Sequence, residues 1–479
     1  MLAIFGKTGQ YFEILETPPD EVNIGDFLEI SEVQLNRSLI LQVVDVAYLS
    51  IPGELEEIMR LAKAQEIIVE NEGHNTSIEQ FGDEIISSKI LKCKVRGALL
   101  NGHFYRSTLW VPSRYKTTVK KISTNEIKSV MGNENKIPFS IGELLSEPGG
   151  NVVVDLTKLD GSLNIILGRK GAGKSMLAKT LVKALVNNGA KCFVIDINNE
   201  YSVSHSSRNF VSLVPGKNLK FSFHSISKPV FISILQNLFN LPQSSIMEIS
   251  RIWDRLKESG HLSFKSLKKE IAFAQINDYI RDALIRRLEL LESSGIITDD
   301  LPEKTFIDEF RSSEGRCVSL MLRGQSSIFR KLIIQLSMNQ LLESLESGSL
   351  EPIFLFAEEA HLYQDMSFWE DLVTRMRHLG LSLFFITNEP ESLSKFIYRQ
   401  SDSIFIFNYI NDNDIAFLSK VTDLDSDSLT AFISNLPERC CLATGKITNN
   451  IPLLVKTEPL NDFKGGFTRL FFKKEYLKF

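Results

Sequence analysis

A glycine-rich turn between an apolar strand and a helix constrains the fold of this chain more than any other segment. Residues Gly168–Ser175 read GRKGAGKS after the strand-like run Leu163–Leu167, and they fit the P-loop pattern G-x-x-x-x-G-K-[ST]. In this pattern backbone N–H groups at a helix N-terminus face phosphate oxygens, a lysine reaches the terminal phosphates and a hydroxyl ligates Mg²⁺. The predicted nucleotide contacts are Gly168, Lys170, Gly171, Ala172, Gly173, Lys174, Ser175 and Met176, with Ser175 also at the metal. A glycine-rich turn without a ligand is the alternative interpretation.

The pattern around this turn predicts an α/β fold with a mostly parallel sheet. From about Ile141 strand-length apolar runs alternate with helical periodicity, which is typical of βαβ units. A helix is predicted over Ser175–Val186. Further strands are predicted at Cys192–Ile195, Val318–Leu322, Ile353–Ala357, Leu383–Ile386 and Ile404–Phe407. Apolar residues at helical spacing predict a helical insertion before the sheet resumes.

The first part of the chain has the pattern of short strands and turns that is typical of a small β-barrel. Short β-type runs are broken by turn residues, at Leu2–Phe5, Tyr11–Leu15, Phe27–Ile30, Leu39–Tyr48, Leu91–Val95 and Ser107–Val111. One helix is predicted at Glu54–Ile67, and the polar stretch Thr117–Asn135 is interpreted as a connection. An oligomerisation or packing module is the simplest role. The predicted boundaries are 1–115 for the barrel, 116–140 for a linker, 141–228 and 311–460 for the α/β core, 229–310 for the insertion and 461–479 for a tail.

Composition limits the classes of function. Of 479 residues, 43% are hydrophobic and 24% charged, which excludes wholesale disorder. The net charge of −5 excludes a global basic field, so any nucleic-acid contact must be local. Candidate contacts are Lys217, Lys220, Lys265, Lys268 and Lys269, although a solvated charged face is the favoured interpretation of each. No apolar run of about 18 residues and no signal peptide is visible, so we expect a cytoplasmic protein without a membrane partner.

Two carboxylates end a buried apolar strand. Glu358 and Glu359 follow the run Ile353–Ala357, where desolvation is costly unless a cation or ligand compensates. Glu358 would take the Walker B position and reach Mg²⁺ through water, while Glu359 would polarise the attacking water as general base. A solvated acidic pair at a strand end is the alternative. His361 could report the nucleotide state or pack locally.

Polar groups near a third strand complete the candidate site. Asn388 follows the run Leu383–Ile386 and could orient water or contact a phosphate, or belong to a capping turn. Arg375 and Arg377 precede that strand and could act as an arginine finger toward a neighbouring subunit. An arginine-rich helix end that is simply solvated is the alternative.

The order of these motifs resembles the HerA family of hexameric DNA-translocating ATPases, which is related to the FtsK-type pumps. The resemblance spans nearly the whole chain and is weakest in the helical insertion. It is carried by the P-loop, Asp196–Tyr201 (DINNEY, where the family has D-x-x-G-E-Y), Glu358–His361, Arg377–Gly380, Thr387–Pro390, Asn411–Asp414, Val22–Phe27 and Lys94–Gly97. Four positions depart from the family pattern: Asn199 replaces Gly, Asn388-Glu389 replaces Gln-Arg, and Asn408 stands where Arg is usual.

The resemblance implies a RecA-like core with an N-terminal barrel, assembled as a ring of six that binds ATP and Mg²⁺ at subunit interfaces. Duplex DNA would pass through the central channel, and the partner would be a nuclease of NurA type or a defence effector. Lys174, Ser175, Glu358 and Glu359 match the family motifs, and Arg377 takes the position of the trans-acting arginine. No role for Asp196 or Glu200 follows from the sequence.

Two other functions stay open at this point. The departures at Asn199, Asn388 and Asn408 are compatible with an ATP-binding ring scaffold that hydrolyses weakly and organises a partner enzyme. A protein-remodelling ATPase would require a substrate-recognition module, and none is visible in the sequence.

Overall fold

The computed structural model describes residues 2–49, 87–106, 110–114, 116–123, 126–127, 136–202, 208–300, 304–311, 314–363, 368–409, 411–422, 424, 426–434, 436–458 and 463. The strands are β1 Leu2–Thr8, β2 Tyr11–Glu16, β3 Phe27–Glu32, β4 Arg37–Tyr48, β5 Lys89–Leu100, β6 His103–Tyr105, β7 Thr118–Lys121, β8 Pro138–Leu144, β9 Asn151–Asp155, β10 Leu163–Leu167, β11 Lys191–Asp196, β12 Phe210–Leu213, β13 Phe221–Ser222, β14 Ile297–Thr298, β15 Arg316–Met321, β16 Ile353–Ala357, β17 Leu381–Thr387, β18 Ser403–Phe407, β19 Cys440–Gly445 and β20 Leu453–Lys456.

The helices, numbered over the described part of the chain, are α1 Lys174–Asn187, α2 Lys228–Ser233, α3 Gln243–Glu258, α4 Phe264–Phe273, α5 Asp278–Ser293, α6 Ser327–Glu346, α7 Phe368–Arg375, α8 Lys395–Gln400, α9 Asp412–Val421 and α10 Ser426–Ile433. A π-helical turn, Ile234–Leu238, follows α2. The chain divides into two compact units. One unit contains Met1–Asp155 and Ile406–Glu458, and the other contains Leu156–Phe405 and Pro459–Phe479.

The second unit is built on a parallel sheet with the strand order β12-β15-β11-β16-β17-β10. All residues of β10, β11, β16 and β17 are buried, as expected for parallel strands covered on both faces. The register pairs Leu167 with Thr387 and Ala357 with Phe385. The carboxyl ends of β10, β17 and β16 therefore lie at one edge of the sheet, where the motifs described above begin.

The insertion between β13 and β15 is helical, as the sequence predicts. Helices α2 to α5 fill it, and the short strands β13 and β14 pair in parallel. Four aromatic rings hold α2, α3 and α4 together: Phe223 lies 5.1 Å from Trp253 and 5.4 Å from both Phe231 and Phe264. Such pairs stabilise a helical cluster beyond the area they bury.

In the first unit the sheet order is β1-β2-β5-β4-β3-β7, with β6 paired to β5. Its strands are antiparallel, and β1 contacts β7 at the opposite edge. Phe12, Ile14, Leu28 and Leu39 belong to its buried core. The predicted β module is therefore present as a small, barrel-like antiparallel sheet. The same unit contains a second antiparallel series, β19-β20-β8-β9.

Several local predictions were wrong or lie outside the described residues. The strand predicted at Ser107–Val111 is absent at Trp110 and Val111, because Trp110 instead stacks under the Arg37 guanidinium at 4.3 Å and Pro112 cannot donate to a ladder. Thr118–Lys121, interpreted as part of a connection, forms the edge strand β7, whose lysines are typical of protected sheet edges. The predicted helix Glu54–Ile67 lies outside the described residues.

Helix α6 is the longest helix among the described residues, at 20 residues. Its apolar residues are interrupted by Arg330, Lys331 and two glutamates. Across the described ranges no helix combines the length and the apolar composition that crossing a bilayer demands.

A steric contact between α1 and β15 gives a first testable prediction. A Cβ atom added at Gly315, just before β15, would lie 2.0 Å from the Val186 carbonyl oxygen. Backbone atoms cannot rotate away, so we expect Gly315→Ala to lower the free energy of unfolding by about 3 kcal/mol. The matched control is Gly348→Ala, where φ is +68° and nothing lies within 4 Å, and where about 1 kcal/mol is expected. Urea unfolding followed by circular dichroism measures both, and equal losses would contradict the packing described here.

Candidate nucleotide-binding site

The P-loop connects a buried strand to a helix through a turn that requires glycine. Helix α1 begins at Lys174, and its N-cap Gly173 has φ +122°. Gly171 has φ +81°, also in the region that side chains disfavour. The predicted strand and helix are present on either side of this turn. The turn leaves the first N–H groups of α1 at a positive helix terminus suited to phosphate.

Lys174 is held over the P-loop by backbone oxygens. Its Nζ donates to the Gly168 carbonyl at 2.7 Å and to the Arg169 carbonyl at 3.1 Å. The side chain is buried. Burial lowers the pKa of Lys174, and the carboxylates of Glu359, Glu358 and Glu200 oppose that shift. The lysine and these acids therefore form one electrostatic cluster.

Glu358 is a buried carboxylate with a defined set of neighbours. Its Oε1 accepts a 2.5 Å hydrogen bond from the Tyr201 hydroxyl. The Tyr363 hydroxyl donates to the backbone carbonyl of Glu358 at 2.7 Å. Burial raises the pKa of Glu358 to about 8, so a cation beside it would strongly favour its charged form.

Glu359 adopts a strained backbone conformation beside Glu358. Its φ of 50° and ψ of 47° lie in the left-handed region, which costs a non-glycine residue about 1 kcal/mol. The Oε2 atom lies 3.5 Å from His361 Nδ1 and accepts no hydrogen bond from the residues that the structure describes. His361 Nδ1 also lies 3.2 Å from the Thr387 hydroxyl. A carboxylate oxygen that accepts no hydrogen bond from the protein is suited to accept a proton from water.

The structure brings most of the predicted site to one side of the sheet, at the carboxyl ends of β10, β17 and β16. Because β17 pairs with both β10 and β16, Asn388 follows the strand that lies between the P-loop strand and the Glu358 strand. The residues predicted to contact nucleotide and metal thus share that side of the sheet with Glu359 and Asn388.

Arg377 lies at the opposite side of the sheet, near the amino end of β10. Its guanidinium donates to the Gly161 carbonyl at 3.3 Å and to Asp402 Oδ1 at 3.2 Å, and Asp402 Oδ2 accepts from the N–H of Leu163. Leu163 is the first residue of β10, so the strand separates Arg377 from the P-loop of its own chain by about 13 Å. The side chain is 65% exposed.

The structure shows partners that sequence reasoning did not assign. The Asp196 carboxylate accepts from the N–H groups of Glu200 at 2.9 Å and Tyr201 at 3.0 Å, while burial raises its pKa. Lys179 of α1 makes a 3.0 Å ion pair with Glu200. Two sequence features could have indicated these contacts: Lys179 among the apolar residues of α1, and Tyr201 at the end of the DINNEY segment.

Two of the family departures have a structural explanation. Asn199, at the family's Gly position, has φ 57°, and Asn tolerates this left-handed conformation better than other side chains. Its Oδ1 accepts from the N–H of Arg323 at 3.2 Å. Asn408 Nδ2 donates to the Leu436 carbonyl at 2.6 Å, so its amide has a structural role in the first unit.

The residues present fit a magnesium ion held mainly by its nucleotide. Within the part of the chain that the structure describes, no group of three or more His, Cys, Asp or Glu side chains is arranged to hold a metal. Mg²⁺ at nucleotide sites takes one or two protein ligands beside phosphates and waters. Ser175 and the buried Glu358 supply ligands of that kind.

Solved structures share the fold of this chain. VirB4 of Thermoanaerobacter pseudethanolicus matches with a TM-score of 0.53 and 14% identity, over 69% of this chain and 98% of that chain. The bacterial conjugative coupling protein TrwB, in an unbound form, matches with a TM-score of 0.53 and 14% identity, over 71% and 93%. TrwB in complex with ADP and Mg²⁺ matches with a TM-score of 0.52 and 14% identity, over 71% and 93%. At these identities the matches show the fold alone.

The family comparison is more specific. No curated protein is significantly similar to this chain in sequence. The family model described as "Helicase HerA, central domain" matches residues 139–434, which is more than half of the chain and includes the P-loop, the DINNEY segment, both glutamates, Arg377 and Asn388. Because this match includes the residues that the structure brings together at the site, the chain belongs to the HerA helicase family of P-loop ATPases.

Proposed function

We propose that this protein is an ATP-driven motor that assembles as a hexameric ring, moves duplex DNA through its channel and works with a nuclease or another effector. The observation that carries the proposal is the common sheet edge of the P-loop, Glu358 and Glu359. The family's description as a helicase and the description of TrwB as a plasmid coupling protein support DNA as the polymer.

Each site residue has a chemical task in this proposal. Lys174 and the N-terminus of α1 bind the ATP phosphates, and Ser175 and Glu358 hold Mg²⁺, directly or through water. Bound Mg²⁺ would neutralise charge that develops on the phosphates. Glu359 takes the proton of the attacking water, and Asn388 orients that water. The RecA-like core would place this site at a subunit interface.

DNA contacts must be local in an acidic chain. Lys217, Lys220, Lys265 and Lys269 are exposed and remain candidates. Lys268 is a poorer one, because it bridges Glu292 at 2.7 Å and Glu289 at 3.6 Å. A ring needs only a few free cations per subunit, since six copies multiply the charge along its channel.

The deciding experiment is the steady-state ATPase rate with and without linear duplex DNA, with Lys174→Ala as the blank for contaminating activity. Strong stimulation by DNA supports the motor. A slow rate that DNA does not change would replace it with the ring scaffold that organises a partner enzyme. Mass photometry with an ATP analogue tests the hexamer independently.

Glu359→Gln should separate binding from hydrolysis. The amide keeps the shape of the side chain but cannot accept the proton of water, so we expect hydrolysis to fall by about 10² to 10⁴-fold. Binding of a fluorescent ATP analogue should stay within a few-fold of the wild-type value. A phosphate-release assay measures the rate, and an unchanged rate would remove Glu359 from the base role.

Arg377→Ala tests whether this residue acts on a neighbouring subunit. We expect hydrolysis to fall by about 10³-fold or more. Mixing Arg377→Ala with Lys174→Ala should restore part of the activity, because some interfaces would combine an intact P-loop with an intact arginine. An arginine acting within its own chain predicts no recovery.

The adjacent arginine provides the matched control. Arg375 is paired with Glu346 at 2.9 Å and Asp371 at 2.8 Å, so Arg375→Ala should leave hydrolysis nearly unchanged. Equal losses in Arg375→Ala and Arg377→Ala would mean that the helix end matters for folding rather than for catalysis.

A further inference from the structure

Two buried tyrosine hydroxyls converge on Glu358 and contact different atoms of it. Tyr201 donates to the carboxylate Oε1 at 2.5 Å, and Tyr363 donates to the backbone carbonyl at 2.7 Å. Both side chains are 1% exposed. We propose that Tyr201 is a positioning residue, whose hydroxyl fixes the Glu358 carboxylate in the orientation from which it holds Mg²⁺. This inference rests on the nucleotide site proposed above.

The backbone of Tyr201 is fixed by the residue that opens its own motif. Asp196 ends β11 and accepts from the N–H groups of Glu200 and Tyr201. The chain turns between them through Asn199, which has φ 57°. Because β11 pairs with β16, with Ile195 opposite Ala357, this turn brings Tyr201 against the residue that follows β16. The spacing of the DINNEY segment therefore allows the chain to pass from the end of β11 to the end of the neighbouring strand β16, where Tyr201 contacts Glu358.

The ring of Tyr201 is fixed on other sides. Phe463 meets it edge-on, with ring centroids 6.1 Å apart, and Lys179 Nζ lies 5.7 Å from its centroid. Lys179 is itself anchored by its ion pair with Glu200. Since Lys179 belongs to the helix that begins at Lys174, the P-loop helix helps to aim the hydroxyl that contacts Glu358.

A fixed donor matters because the carboxylate is buried. A carboxylate without such a donor can rotate about its side-chain dihedral angles, and each alternative orientation places its oxygens differently relative to a metal. Partners that orient metal ligands in this way change metal affinity by about 10 to 100-fold when they are removed. Tyr363 bonds only to the backbone of Glu358, so its hydroxyl should lack this effect.

The test compares Tyr201→Phe with Tyr363→Phe, which each lose one buried hydroxyl beside Glu358. Binding of a fluorescent ATP analogue to the full chain is measured across a Mg²⁺ titration and again in EDTA. We expect Tyr201→Phe to need about tenfold more Mg²⁺ for half-maximal enhancement of binding, with unchanged affinity in EDTA. Tyr363→Phe should follow the wild-type titration. Thermal unfolding of both variants shows that they are folded.

A second variant addresses the case in which Tyr201→Phe does not fold. Phe463→Leu keeps the hydroxyl and removes the aromatic edge beside the Tyr201 ring, so the Mg²⁺ requirement should rise in the same direction by a smaller factor.

Each other outcome overturns the inference. Wild-type titrations for Tyr201→Phe and Phe463→Leu, with nucleotide bound normally, would remove the positioning role and leave the nucleotide site intact. Equal shifts in Tyr201→Phe and Tyr363→Phe would show that both hydroxyls act only on packing. A wild-type chain that binds no nucleotide, or binds it without regard to Mg²⁺, would overturn the proposed function and this inference together.

Discussion

The arrangement of the nucleotide site depends on the buried carboxylate of Glu358, which needs hydrogen-bond donors or a cation beside it. A charged oxygen removed from water is costly unless donors or a cation compensate. In this structure Tyr201 supplies a donor, Lys174 lies in the same cluster, and Asp196 and Glu200 add negative charge that opposes ionisation. The site is therefore short of positive charge near Glu358, and a Mg²⁺ ion that accompanies the nucleotide would supply positive charge beside this carboxylate.

The parallel sheet makes this chemistry possible by its register. Residues that lie about 190 to 220 positions apart in the sequence meet because β10, β17 and β16 are neighbours whose carboxyl ends coincide. The same geometry places Arg377 at the amino end of β10, away from the site in its own chain. This separation is the reason why the role proposed for Arg377 is one toward a neighbouring subunit.

The sequence predicted the parallel core well because its signals are local. The P-loop glycines, the buried strand at Ile353–Ala357 and the helical periodicity of the insertion each depend on a few adjacent residues, and each has its predicted form. The role of Tyr201 could not be predicted, since a tyrosine after Glu200 says nothing about which side chain its hydroxyl meets across the sheet. The strands β8, β9, β19 and β20 were missed for the same reason, because their pairing joins distant parts of the chain. The edge strand β7 was missed because its lysines suggested a polar connection.

That long-range pairing has a consequence for how the chain is made. β8 pairs with β20 through Leu144 and Val455, so the first unit is completed only when residues about 300 positions later have been synthesised. At a translation rate of roughly 5 to 20 residues per second, β8 would wait about 15 to 60 s for that partner. During this interval one edge of the β8–β9 hairpin is open to pairing with another chain. Residues 156–405 of the ATPase unit are encoded within this interval, so this part can begin to fold while the first unit is still incomplete, whereas residues 459–479 of the ATPase unit follow β20.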